Sequence, residues 1–483
     1  MKSVVEKIYE NSLKHPNRLA AVLENEELIY KELWDKTVKL AAFLKSRGLS
    51  ESDRVIFQAS YSKWYVIACY AVHLCHAIFV PIDKNSSEEA VNSINEVLDA
   101  KCVVSEYKFE EFDISLLLSE LEGCIDSFSA DTDYTFPTGE MYADIMFTTG
   151  TTGKPKGVVL THDNLSATCV TRIHELLIRP DNVGITFVPL NHVAPMRELY
   201  LNGYNGSTAI FLDGMLKIKK MFEYMKKYGV TSLYIPPSGI SVVSRFSANG
   251  LSSVSDQLDY VYSASSNMTE VQQDYMRESL PNTRLYFSYG SSENGSVSLH
   301  RYLKDRKEIS CVGKPCEGVS VRIVDQNNED VPTGEIGTVT IKSAMNFPAY
   351  WRNPEITEKV YKDGYFISND AGYFDNDGYL YIVGRKDDLV NIGGLKVYPA
   401  EIEDEVAKID GVEDCICVAV PDSVTGQAIR LIVKKAEGSG LDAMTVKNNL
   451  TGKVDSYKIP KIIEFADHIE RTSNGKLNRK AYR

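Results

Sequence analysis

The sequence has no CxxC pair, no excess of basic residues and no short repeat, and each absence removes a class of protein. Its nine cysteines are odd in number and scattered, with only Cys415 and Cys417 close together. Neither a disulfide framework nor a zinc ribbon is therefore indicated, and reduced thiols are expected. Lysine and arginine number 53 against 66 acidic residues, a formal charge of -13 that disfavours nucleic acid or an anionic membrane as the main partner. The opening segment MKSVVEKIYENSLKHPNR is charged throughout and lacks the apolar core and cleavage site of an export signal, so a cytoplasmic location is expected. The most apolar stretch, Trp64 to Ile82, contains His73 and His76 and ends in a Val80-Pro81 break. It reads as a buried helix followed by a strand, not a membrane span. The two histidines, at helical spacing without a carboxylate or cysteine pair nearby in sequence, read as core residues and not as metal ligands.

What is present is ordinary globular material, 43% hydrophobic and 25% charged. At 483 residues the chain is too long for one core, which predicts a large composite domain and a smaller one. From Glu27 to Ile82 helical and extended patterns alternate: a helix over Tyr30 to Arg47 stopped by Gly48, a strand at Arg54 to Gln58, another helix, then a strand at Ala77 to Pro81. Similar units continue to about residue 300, with strands at Gly184 to Pro189, Thr208 to Leu212, Ser232 to Pro236, Tyr260 to Ala264 and Arg284 to Tyr289, most of them entering Gly, Ser or Pro-containing loops. That grammar is α/β, and such strand ends are where α/β proteins place ligands. From about Val319 to Val383 the texture changes to strands joined by turns, a β-rich subdomain. Beyond Arg385 the pattern predicts a small α+β domain of about 100 residues, with helices at Pro399 to Ile409 and Leu441 to Leu450 and strands at Val412 to Val420, Arg430 to Lys434 and Ile462 to Phe465.

The sharpest local signal is an apolar strand running into Thr148-Thr149-Gly150-Thr151-Thr152-Gly153-Lys154-Pro155-Lys156-Gly157. Glycines let backbone N–H groups approach phosphate oxygens, hydroxyls add donors and lysines supply the charge a polyphosphate needs. The loop is not a Walker A element, because Pro155 follows Lys154 where a hydroxyl residue is required. Further along come Tyr289-Gly290-Ser291-Ser292-Glu293, Ser368-Asn369-Asp370-Ala371-Gly372, Gly384-Arg385-Lys386-Asp387 and a basic tail containing Gly475-Lys476.

Taken together these segments resemble the adenylate-forming superfamily of acyl-CoA synthetases, peptide-synthetase adenylation domains and firefly luciferase, and the resemblance spans nearly the whole chain. It implies an α/β fold with an N-terminal AMP-binding domain over residues 1–386, its β-rich subdomain at about 310–386, and a small mobile α+β C-terminal domain over 387–483. It implies activation of a carboxylic acid with ATP and Mg2+, release of pyrophosphate, and transfer of the acyl group to CoA. Loading of a carrier-protein phosphopantetheine is the close alternative, and a non-catalytic nucleotide-binding regulatory protein the remote one. Thr148 to Gly157 would bind phosphates. Tyr289 would lie against adenine, Ser292 (where the family usually has threonine) would reach the α-phosphate, and Glu293 would hold magnesium. Asp370 would accept the ribose hydroxyls, within an element that departs from the family pattern at Ser368 and Asn369. Arg385 would meet ribose or phosphate and Asp387 would be the hinge. Lys476 would bridge carboxylate and α-phosphate as the catalytic lysine, offsetting the charge of two anions brought together. Gly393 and Gly394 would line the channel for the thiol.

The acyl site is read from Pro189 to Pro195, where His192 matches the family's aromatic or histidine position and no aspartate waits for an amino acid's ammonium. The stretch Ser263 to Met268 replaces the usual glycine-containing segment, and Arg197 follows closely. Arg197, with Ser265 and Ser266, predicts an acid carrying a second polar or anionic group.

Overall fold

The computed structural model describes every residue except 131–132, 149–155, 215–216, 248, 267, 302–309, 473–475 and 483. Short, nearly continuous apolar runs become parallel strands covered on both faces. Arg54–Gln58, Ile78–Ile82 and Cys102–Ser105 are buried along almost their whole length, as parallel pairing demands. They form the middle of a six-stranded sheet ordered Ile114–Leu117, Cys102–Ser105, Arg54–Gln58, Ile78–Ile82, Tyr142–Thr148 and Lys156–Thr161, in which only the last pair is antiparallel.

A second sheet carries Thr208–Phe211, Val183–Thr186, Ser232–Tyr234, Tyr260–Ser263 and Arg284–Tyr289 in parallel. It continues without a break, through antiparallel Ser298–Arg301 and Cys311–Pro315, into Leu380–Arg385, Tyr365–Phe374, Gly337–Lys342 and Ser320–Val324. The turn-rich texture after residue 319 thus belongs to a sheet hydrogen-bonded to the parallel one. At the other end the N-terminal hairpin Leu19–Leu23 and Glu26–Ile29 adds two strands, a pairing over nearly 190 residues that local pattern does not carry.

The C-terminal region has its own core around Val390, Val397, Ile402, Val406, Cys417 and Leu431. Its five-stranded sheet is ordered Leu395–Val397, Val390–Ile392, Gly426–Lys435 and Val412–Asp422, with Ile462–Phe465 parallel to Gly426–Lys435. A large N-terminal and a small C-terminal domain follow from this division. Among the described residues no helix is long and apolar enough to cross a membrane, and none of the nine cysteines forms a disulfide.

His73 is fully buried, as expected, yet the premise that no carboxylate is near it needs correcting. Asp144, distant in sequence, places Oδ1 3.0 Å from His73 Nε2. The Tyr200 hydroxyl donates to both Asp144 oxygens at 2.9 and 2.8 Å. This buried network joins helix Lys63–Leu74, strand Tyr142–Thr148 and helix Val193–Asn205. His76 is instead partly exposed at φ +60°, with its ring on the Thr135 carbonyl at 2.9 Å. Among the described residues no cluster of three His, Cys, Asp or Glu could hold a metal.

Candidate active site

The strand Tyr142–Thr148 and its antiparallel partner Lys156–Thr161 bracket the phosphate loop, with Thr148 opposite Lys156 in register. The loop residues Thr149, Gly150, Thr151, Thr152, Gly153 and Lys154 lie outside the described residues. At the rims, the Thr148 hydroxyl faces the Lys156 carbonyl at 3.4 Å and the Lys156 ammonium sits 5.4 Å from the centre of the Tyr350 ring. Gly157 admits no side chain, since a Cβ there would stand 2.8 Å from Ile145 and 3.2 Å from Trp351.

At the end of strand Arg284–Tyr289 the chain turns sharply. A Cβ on Gly290 would lie 1.9 Å from the Gly295 carbonyl oxygen, so only glycine fits. The turn is knitted by its own polar groups: Ser291 N–H donates to Asn294 Oδ1 at 2.7 Å, and Ser291 Oγ donates to Glu293 Oε2 at 2.7 Å. The other Glu293 oxygen accepts the Tyr350 hydroxyl at 2.9 Å. Each oxygen keeps lone-pair capacity, and a held carboxylate of this kind suits a hard divalent cation such as Mg2+. Ser292 offers its carbonyl to Arg197 at 3.3 Å.

Tyr289 donates its hydroxyl to Asp370 Oδ2 at 2.7 Å. Burial, with Asp370 alongside, pushes the phenol well above its ordinary value, so it stays a donor. Asp370 lies directly across the antiparallel pair from Arg385, whose Nε is 3.5 Å from Oδ1. Burial raises the Asp370 carboxyl, against the opposing pull of Arg385 and the Tyr289 hydroxyl. Asn369, one of the departures from the family pattern, donates its side-chain amide to Asp387 Oδ2 at 2.6 Å and thereby touches the expected hinge.

Beyond that point Gly393 and Gly394, at φ +59° and +94°, form the two-residue turn of the hairpin Val390–Ile392 and Leu395–Val397. Positive φ at both positions accounts for both glycines. Lys476 sits in a tight loop of the C-terminal domain: the Thr472 N–H donates to its carbonyl at 2.8 Å and its own N–H to Thr472 Oγ1 at 3.2 Å. The residue is exposed, and the charges of Arg385, Asp370 and Glu293 act on its ammonium. The surrounding protein, then the Arg385 charge, lower its pKa, while Asp370 and Glu293 act to raise it. Lys476 in turn acts on His192. Burial lowers the His192 pKa, which favours the neutral ring, and its Nε2 has no hydrogen-bond partner among the described residues.

Arg197, in the second turn of helix Val193–Asn205, reaches the Ser291–Glu293 turn. Its Nη2 donates to the Ser291 carbonyl at 2.8 Å. Burial pulls its pKa down to about 10, with Tyr262, Tyr234 and Arg172 among the groups around it. Arg172 is neutralised by Glu198 at 2.5 Å and covered by the Tyr262 ring at 4.4 Å. Arg197 has no ion-pair partner among the described residues. Ser265, at the strained φ of +93°, meets the Tyr234 hydroxyl at 3.1 Å, with Ser266 beside it.

Sequence reasoning missed Tyr350, whose hydroxyl orients Glu293. Tyr350 is 57 residues from the carboxylate it serves, and only the aromatic pair Tyr350-Trp351 before an Asn-Pro turn hinted at it.

A model of the AMP-binding enzyme family matches residues 8–351, and one of the AMP-binding enzyme C-terminal domain matches residues 401–476. The chain belongs to the AMP-binding enzyme family, and is an enzyme of the acyl-CoA synthetase type. It is 28% identical to a feruloyl-CoA synthase of Amycolatopsis sp over 460 residues, covering 93% of this chain and 92% of that one. It is 24% identical to the fatty acid–[acyl-carrier-protein] ligase ScoC of Streptomyces coeruleorubidus, over 97% and 93% of the two chains. The fold superposes on ATP-bound MatB from Rhodopseudomonas palustris with a TM-score of 0.91 and 24% identity, covering 100% of this chain and 99% of the other.

Proposed function

We propose that this chain joins a carboxylic acid to ATP as an acyl-adenylate, with release of pyrophosphate, and then passes the acyl group to the thiol of CoA, the new C–S bond replacing the acyl–phosphate bond as AMP leaves and the thiol proton goes to solvent. The observation that carries this reading is the contact of Asp370 with both the Tyr289 hydroxyl, at 2.7 Å, and Arg385, at 3.5 Å, beside the turn that holds Glu293, with the charge of Lys476 acting on Asp370. In the first step a carboxylate oxygen bonds to the α-phosphorus and the bond to the pyrophosphate oxygen breaks, with no proton transferred. Lys476 offsets the charge gathered there, and Ser292 offers its hydroxyl to the α-phosphate. Asp370, already a hydrogen-bond acceptor, takes the ribose hydroxyls, and Tyr289 borders adenine. Glu293 holds Mg2+, which supplies charge neutralisation on the polyphosphate. Asp387 is the hinge, and the Gly393-Gly394 turn borders the thiol's path. Residues 1–386 and 387–483 are the units that move about it.

The acid carries a second polar or anionic group, received by Arg197 with Ser265 and Ser266 near it. The support is the guanidinium's lack of a counter-ion, where the neighbouring Arg172 has one. Arg197→Ala is expected to erase preference for acids bearing that group while leaving plain monocarboxylates little changed. An unchanged preference sinks this assignment. A second reading, acyl transfer to a carrier-protein phosphopantetheine, is favoured by the name of the relative ScoC. The deciding assay is pyrophosphate release from MgATP across aliphatic, aromatic, hydroxy and dicarboxylic acids, with and without CoA. Acid-dependent release that CoA accelerates supports the ligase; release indifferent to CoA supports the carrier protein.

A further inference from the structure

A lysine at the tip of a polar loop has a long, freely rotating stem, so a catalytic lysine needs its loop held from outside. The Lys476 loop is flanked on one side by Arg471, whose Nη2 reaches Asp414 at 2.7 Å on the surface, where a pair is worth little. The other flank is different. Arg479, three residues after Lys476, donates Nη1 and Nη2 to the two oxygens of Glu403, each at 2.7 Å, in a fork. Glu403 is only 8% exposed, and its Oε1 also accepts the Cys417 N–H at 2.6 Å. The remaining nitrogen, Arg479 Nε, lies 3.4 Å from Asp388 Oδ2.

These three partners occupy distinct places in the small domain. Glu403 belongs to helix Pro399–Val406, which packs on the domain's core. Cys417 belongs to the long strand Val412–Asp422 at one edge of the domain's sheet, and is fully buried in its core. Asp388 closes the turn Lys386–Asp388 that contains Asp387. One guanidinium therefore ties the Lys476 loop both to the rigid core of its domain and to the turn at the expected hinge.

We propose that Arg479 is a positioning residue for Lys476, acting through Glu403 and Asp388 to make lysine loop and hinge turn one rigid unit. Rotation at Asp387 then delivers or withdraws Lys476 as a body. The inference rests on the adenylation reading above for its catalytic consequence, and on geometry alone for the ordering of the loop.

The test uses Arg479→Gln, Arg479→Lys and Glu403→Gln in the full chain, with two readouts. In the first, acyl-adenylate formation from acid and MgATP is compared with thioester formation from acyl-adenylate supplied ready-made. Arg479→Gln and Arg479→Lys, which cannot form the fork, are expected to lose about 100-fold in the first step. Thioester formation and the KM for ATP should stay near wild type. Glu403→Gln, which keeps side-chain size, should show the same split if Arg479→Gln folds poorly. Equal loss in both steps, or no loss in either, overturns the proposal. The second readout is hydrogen exchange over 470–478, expected to quicken in the variants by more than it does over the strands Val412–Asp422 and Gly426–Lys435; unchanged protection, or an equal rise in both places, overturns the ordering claim. A wild-type chain that forms no adenylate with any acid defeats the proposed function, and the exchange measurement still decides the role of Arg479.

Discussion

At Lys476 the same surroundings that recruit the ammonium also loosen its proton. Enclosure by protein and the neighbouring Arg385 both disfavour the charged form, and Asp370 and Glu293 offset this only in part, since the net direction is downward. Adenylation needs the protonated side chain, so its alkaline limb should fall at a lower pH than an ordinary lysine allows. Lys476→Arg, which stays charged, should retain less activity at neutral pH but lose that limb. A pH–rate profile for pyrophosphate release checks this, and an identical limb in the arginine variant assigns the titration elsewhere. The candidate nucleotide-side residues could be picked out of the sequence because they stand in compact elements, Tyr289 to Glu293, Asp370, Arg385 and Lys476, and the structure places Tyr289, Asp370 and Arg385 in contact. Their partners were not. Tyr350 reaches Glu293, Asp144 reaches His73 and Glu403 reaches Arg479 across 57, 71 and 76 positions, distances that no local spacing encodes.

The helix Pro399–Val406 shows how one element carries both order and strain. Its N-terminal turn begins with Pro399, suited to a first helical position, and one face buries Ile402 and Val406. Glu403 is compensated by Arg479, but its neighbour Asp404 is not. Burial, then the Glu403 charge, push the Asp404 carboxyl up to about 7. Below pH 4 the group is protonated in folded and unfolded chains alike and costs nothing. Between about 4 and 7 the unfolded chain ionises first, so this residue erodes stability as pH rises, fully so above 7. Asp404→Asn is expected to raise the melting temperature at pH 8 and to leave it nearly unchanged at pH 4; the reverse order contradicts the assignment. Most elements could be foreseen from apolar runs and turn residues, and the predicted strand Arg284 to Tyr289 ends where the structure ends it. The hairpin across Gly393 and Gly394 could not, since three-residue strands such as Val390–Ile392 carry too little periodicity to stand out.

Across the whole molecule, two sheets and a small domain turn their functional ends toward one cleft. The buried His73–Asp144–Tyr200 network sets the strand Tyr142–Thr148 against the helix Val193–Asn205, and Asn369 meets Asp387, the proposed hinge. The proposed role of Lys476 in adenylation has a direct test. Acyl-adenylate formed from MgATP and the acid chosen by the pyrophosphate panel should be trapped and identified by mass for the wild-type chain and for Lys476→Ala. The account predicts an adenylate from the wild type and a loss of order 10² to 10³-fold in the variant, whose ATP binding is retained. An adenylate formed equally well without Lys476, or none from the wild type while ATP is bound, contradicts it.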